Sequence, residues 1–144
     1  MTRCAAGFTL IEILCAMALA GVLSSLAYPT YRHALHQARR ADAVVAAAQV
    51  QMAQARYRAE HTRYGSLADI RVAALSPAGH YRLDIAAPSP DGYELHAQAE
   101  AGQRADAACR RLKLVVIGSD VVHASGHDER FSNAAAVNRR CWGL

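Results

Sequence analysis

The sequence predicts an α+β protein in which a long N-terminal helix is followed by an antiparallel sheet of three or four strands. Three observations predict this fold class. The chain has 144 residues, which is enough for one compact domain and an additional segment. Apolar residues recur at helical spacing in its N-terminal part, and short alternating segments separated by turn residues follow. This order favours a sheet that is laid on one half of the helix.

The N-terminal apolar run, Phe8–Ala27, contains a single charged residue, Glu12. As a helix, the run is long enough to cross roughly 30 Å of hydrocarbon. A plain membrane anchor does not explain the carboxylate, which costs about 2.5–3.5 kcal/mol near the bilayer centre and less near the end of the span. A secretory signal peptide with an A-x-A site at Ala18–Leu19–Ala20 has the same carboxylate inside its apolar core. A lipoprotein site at Cys15 lacks the preceding small residues.

The helical pattern continues beyond Pro29, although proline inside a helix costs about 3 kcal/mol. We therefore predict one helix from Phe8 to about Glu60, with a weak point at Pro29. Apolar residues spaced by three and four predict one stripe along its second half. They are Leu35, Ala38, Ala41, Val45, Ala48, Met52, Ala55 and Ala59.

Three segments after the helix alternate between apolar and polar residues, as strands with one buried face do. A loop over His61–Gly79, with a short helical turn around Leu67, precedes them. The segments are "HYRLDIA", "GYELHAQA" and "RLKLVVIG", and "PSPDG" between the first two is a strong turn signal. A fourth, short strand is predicted near Asp120–His123.

The stretch "GFTLIE", Gly7–Glu12, resembles the class III leader junction of type IV pilins and related pseudopilins. The resemblance implies that a prepilin peptidase cleaves between Gly7 and Phe8 and that the new amine of Phe8 is methylated. In this family, the glutamate at the position of Glu12 pairs with the N-terminal amine of a neighbouring subunit during assembly. A buried carboxylate is tolerable when such a cation meets it.

The resemblance extends to "AYPTYRHALHQARRADA", which looks like the corresponding part of type IVa pilins. It implies the type IV pilin fold and four segments: a leader (1–7), a transmembrane and filament-core helix (8–28), the second half of the helix (29–60) and a globular sheet domain (61–144). It also implies a single pass through the inner membrane of a Gram-negative bacterium, a periplasmic C-terminal domain, and later incorporation into an extracellular pilus with other pilin subunits.

Two cysteines, Cys109 and Cys141, bracket a C-terminal segment rich in turn-forming residues. In an exported domain such cysteines can pair and stay paired. The resemblance implies that they form the disulfide that bounds the variable surface loop of type IV pilins, and Trp142 is interpreted as a plug at the base of this loop. Zinc bound by these cysteines with His123 and His127 is the alternative, but a C-x₂₋₄-C pair is lacking. We expect no metal or cofactor.

The chain carries a net charge of +4, and basic residues outnumber acidic ones between Arg104 and Arg140. If these side chains converge on one face, they can contact DNA phosphates, whereas an ordinary soluble surface is the alternative. The candidate DNA-binding residues are Arg104, Arg110, Arg111, Lys113, Arg130, Arg139 and Arg140.

The sequence thus predicts a structural, minor pilin of a type IVa pilus that supports pilus biogenesis, twitching motility, adhesion or DNA uptake. The alternatives are a DNA-binding competence pilin and a type II secretion pseudopilin. The paired cysteines favour pili, because major pseudopilins tend to lack that bridge. No G-x-S-x-G, H-E-x-x-H or phosphate-loop motif occurs in the sequence, so an enzyme is not expected.

Overall fold

A computed structural model describes residues 8–144 in two units, of which the first ends at Leu35 and the second comprises His36–Leu144. The predicted leader, including Gly7, lies outside the described residues. Helix α1 runs from Leu10 to Glu60 and continues through Pro29, which confirms the predicted long helix. By length and composition, α1 can cross a membrane.

In the first unit, α1 begins with a capping arrangement. The backbone N–H of Glu12 donates to Oγ1 of Thr9 at 3.3 Å, so "TLIE" has the spacing of a capping box. Large apolar side chains of this unit are exposed, from 45% of Ile13 to 79% of Phe8. An exposed apolar helix surface of this extent is typical of a segment that contacts a membrane or other proteins.

The second unit contains a four-stranded antiparallel sheet in the order β1-β2-β3-β4, which confirms the predicted meander. Its strands are β1 (Tyr81–Ala86), β2 (Gly92–Ala99), β3 (Arg111–Ile117) and β4 (Asp120–Gly126). β4 is three residues longer than predicted. Two 3₁₀ turns, Ala101–Ala105 and Ala107–Cys109, connect β2 to β3, and a short helix α2, Ala135–Trp142, was not predicted.

The core lies between one face of the sheet and the second half of α1, but α1 uses a different face from the predicted stripe. Its buried residues are Ala43, Ala46, Ala47, Val50 and Gln54. Val45 and Met52 of the predicted stripe are instead 50% and 56% exposed. Because alanine occurs all around this part of α1, spacing alone does not determine the buried face. Gln54 is buried because its side chain accepts from the N–H of Gly65 and donates to its carbonyl.

Asp42 of α1 binds the loop before β1 through three hydrogen bonds. Its carboxylate accepts hydrogen bonds from Ser76 Oγ at 2.5 Å and from the backbone N–H groups of Ala78 at 2.9 Å and His80 at 3.1 Å. Partial burial raises the pKa of Asp42, but these hydrogen bonds outweigh it, so the pKa lies below the ordinary 3.8. The ionised form is therefore the one that stabilises the fold.

Asp42→Asn is expected to lower the free energy of unfolding at pH 7 by about 1–2 kcal/mol. A depressed folded-state pKa contributes stability above the unfolded-state pKa, and this stability is lost as the pH falls through the folded-state pKa. The deficit of the variant should therefore shrink as the pH falls below about 4. Urea unfolding of the detergent-solubilised chain at pH 7 and pH 3 measures this, and an equal deficit at both pH values would contradict it.

Candidate functional site

Four of the seven candidate DNA-binding residues line one open cleft of about 860 Å³ in the second unit. We call this cavity the arginine cleft. Its lining comprises Gln98, Ala99, Arg104, Arg110, Arg111, His127, Asp128, Glu129 and Arg130. The end of β2, the 3₁₀ turns and the start of β3 meet the loop after β4 at this site, so residues 98–111 and 127–130 come together.

A buried polar network holds the two 3₁₀ turns in place. Arg40 of α1 forms a two-point ion pair with Asp106, with Nε–Oδ2 at 2.7 Å and Nη2–Oδ1 at 2.9 Å. The Gln103 amide donates to Tyr81 Oη at 3.1 Å and to Asp106 Oδ2 at 3.1 Å. Burial raises the pKa of Tyr81 to about 12, so its hydroxyl stays neutral. The turns that carry the cleft arginines are thus fixed to α1.

The arginines on the 3₁₀ side of the cleft are positioned by local contacts. Arg110 Nε donates to the carbonyl of Arg104 at 2.9 Å, and Arg104 Nη2 donates to Glu100 at 2.5 Å. Hydrogen bonds from Arg82 and Arg104 lower the pKa of Glu100, which keeps this carboxylate ionised. At the start of β3, Arg111 points to the outer face because its neighbour Leu112 is fully buried.

Carboxylates from the loop after β4 partly neutralise the cleft. Glu129 lies 3.3 Å from Arg111, and Asp128 lies 4.0 Å from Arg130 and 3.2 Å from His127. Exposed ion pairs of this kind contribute only about 0–1 kcal/mol, so a polyanion can displace them. The lining contains four arginines and two carboxylates, which leaves the cleft positive.

The other three candidate residues lie elsewhere. Lys113 is on the outer sheet face, with Nζ 5.0 Å from the ring centre of Phe131 and 3.4 Å from Glu94. Arg139 and Arg140 are exposed on α2, and Arg140 lines a separate groove of about 340 Å³ between α1 and α2. The cleft therefore brings together four of the seven candidate residues.

Sequence reasoning missed Gln98 and His127 as residues of this cleft. The alternation of β2 could have placed Gln98 on the outer face, since its neighbours Ala97 and Ala99 are apolar. Its position beside Arg111 depends on strand register, which the sequence does not specify. The sequence predicts His127 only as a ligand of the alternative zinc site, because its position in a loop gives no other signal.

The predicted disulfide joins Cys109 to Cys141, with 5.4 Å between their Cα atoms. Because both sulfur atoms are used in this bond, the alternative zinc site with thiolate ligands is wrong. Of its other proposed ligands, His123 packs edge-on against Trp142, and burial lowers the pKa of His123. Trp142 is 4% exposed and donates from Nε1 to the carbonyl of Ala124 at 3.0 Å, as a plug at the base of the loop would.

Comparison with known protein families gives two matches. The family described as "Type IV minor pilin ComP, DNA uptake sequence receptor" matches residues 29–113, which is more than half of the chain. The family described as "Prokaryotic N-terminal methylation motif" matches residues 2–28. A search of curated proteins found no match. The first match includes β1, β2 and three of the cleft arginines, and the second includes the apolar run. The chain therefore belongs to the ComP family of type IV minor pilins.

Proposed function

We propose that this minor pilin binds duplex DNA through the arginine cleft during DNA uptake. The observation that carries the proposal is the convergence of Arg104, Arg110, Arg111 and Arg130 on one open cavity. The description of the matched family as a DNA uptake sequence receptor supports it. Guanidinium groups suit this role because they bind phosphate oxygens with two parallel hydrogen bonds.

The composition of the cleft favours duplex DNA over single strands. Proteins that hold single strands without sequence preference stack the bases on aromatic side chains. Among the described residues that line the cleft, only His127 has an aromatic ring. The nearby Phe131 ring is engaged by Lys113 and lies 5.4 Å from His96, centre to centre.

The N-terminal part has a different task in this proposal. A prepilin peptidase cleaves between Gly7 and Phe8, Phe8 is methylated, and Glu12 joins the subunit to other pilins. Before assembly, residues 8–28 anchor the chain in the inner membrane of a Gram-negative bacterium, and residues 61–144 lie in the periplasm. Support comes from the match to the methylation motif and from the exposed apolar surface of the first unit.

Replacing two cleft arginines in Arg110→Ala/Arg130→Ala is expected to weaken binding of a short duplex about tenfold or more. It should also lower the slope of log affinity against log salt by about 2, because each lost phosphate contact removes roughly 0.9. Fluorescence anisotropy with a labelled duplex and the detergent-solubilised chain, over a range of salt concentrations, measures both quantities.

The matched control is Arg139→Ala/Arg140→Ala, which removes the same charge from α2 outside the cleft. This control should bind DNA nearly as well as the parent chain. Equal losses in the two double variants would mean that net charge, and not the cleft, governs binding. If the parent chain binds no duplex even at low salt, the proposed DNA role is wrong.

A further inference from the structure

We propose that Gln98 is the side chain through which the arginine cleft distinguishes one DNA sequence from another, a role that rests on the proposed function. Contacts from arginine to phosphate fix a protein on the duplex but carry no sequence information. A cleft that selects a sequence therefore needs at least one side chain that contacts base edges instead of phosphates.

Gln98 occupies a central and rigid position. Strand β2 pairs with β1 and β3, and the register places Gln98 between Arg82 and Arg111. Its neighbours along the strand, Ala97 and Ala99, are 3% and 0% exposed, so the strand is anchored in the core. Gln98 is thus presented on the outer face between two arginines.

Gln98 also lies where two cavities join. It lines the arginine cleft and a smaller recess of about 230 Å³ on the outer sheet face, and Arg111 and Glu129 line both as well. Gln98 is half-buried, and no hydrogen bond joins its amide to any of residues 8–144, so the amide is accessible to solvent. A solvent-accessible amide without a protein partner is available to a ligand in the cleft.

The chemistry of the amide suits a base edge. A glutamine side chain presents a donor and an acceptor together, which match N7 and the N6 amino group of adenine in the major groove. Being neutral, it adds nothing to the general attraction between the arginines and phosphates. Among the described residues of the cleft lining, Gln98 is the only amide, and the carboxylates of Asp128 and Glu129 repel the DNA backbone.

The test begins with selection of a preferred duplex from a random library by the parent chain. Gln98→Ala should then reduce the preference for this duplex over a scrambled duplex about tenfold, because a good two-point contact to a base gives discrimination of this order. Affinity for the scrambled duplex should change less than twofold. Arg110→Ala should weaken both duplexes by the same factor, and Gln49→Ala, an exposed amide on α1, should change neither.

Replacing single adenines of the preferred duplex by 7-deazaadenine identifies the contact. At one position, the analogue should lower the affinity of the parent chain for the duplex. The affinity of Gln98→Ala should be the same for the duplex with and without the analogue at this position. If Gln98→Ala weakens both duplexes equally, or if the parent chain has no preference, the role of Gln98 is wrong while DNA binding stands. If the parent chain binds no DNA, both proposals are overturned.

Discussion

Glu12→Ala is expected to leave the chain in the membrane and to remove it from filaments. In the proposed assembly, the Glu12 carboxylate meets the methylated amine of Phe8 on a neighbouring subunit. Removing one partner of a buried ion pair costs about 3–5 kcal/mol, because the other charge stays buried without compensation. Incorporation should therefore fall more than a hundredfold. Immunoblots of sheared pili and of membranes measure the two populations separately.

Glu12→Gln separates assembly from helix capping. Glu12 is the fourth residue of the capping box that Thr9 begins, and glutamine can fill this position as well as glutamate can. We expect Glu12→Gln to be lost from filaments like the alanine variant, because it also lacks the charge. If it is incorporated normally, Glu12 acts as a capping residue, and the ion pair is wrong.

Two controls accompany these variants. Glu60→Gln removes the same charge at the opposite end of α1 and should be incorporated like the parent chain. Mass spectrometry of each variant from membranes should give a chain that begins at methylated Phe8, which shows that loss from filaments is not a failure of processing.

Local sequence patterns were sufficient for the elements of the fold. The alternation Tyr81, Leu83, Ile85 predicted the buried face of β1, because the side-chain period of a strand is two whatever lies above it. The apolar run Phe8–Ala27 and the helical spacing that resumes after Pro29 predicted α1. The prediction of β4 was too short, and α2 and the two 3₁₀ turns between β2 and β3 were not predicted.

The buried face of α1 and the composition of the arginine cleft depend on tertiary contacts, so local sequence patterns did not predict them. The buried face of α1 includes Gln54, which a search for apolar spacing does not select because its side chain is polar. Two hydrogen bonds to the backbone of Gly65 compensate for the burial of this side chain. The arginine cleft depends on the register that sets Gln98 beside Arg111 and on the loop that returns Arg130 to the sheet. Charge counting found the arginines but could not separate those of the cleft from those of α2.

Removing the disulfide in Cys109→Ser/Cys141→Ser is expected to lower the free energy of unfolding by about 3–4 kcal/mol. The bond closes a loop with a sequence separation of 32 residues, and the chain-entropy model gives this value for such a loop. Urea unfolding of the detergent-solubilised chain, followed through the fluorescence of Trp142, measures the change. Cys15→Ser, which removes an exposed cysteine of the first unit, should unfold like the parent chain.

At low urea, loss of the disulfide should disorder only the loop between β4 and α2, because hydrogen bonds still connect this loop to the rest of the domain. The N–H of Asn133 donates to the carbonyl of Ser125 at 3.2 Å, and its side-chain amide donates to Ala108 at 2.6 Å. We expect faster proteolysis between β4 and α2, with the circular dichroism of α1 unchanged. Because this loop carries Arg130 and Glu129 into the arginine cleft, DNA affinity should fall as well. Equal protease sensitivity with and without the disulfide would show that these hydrogen bonds alone order the loop.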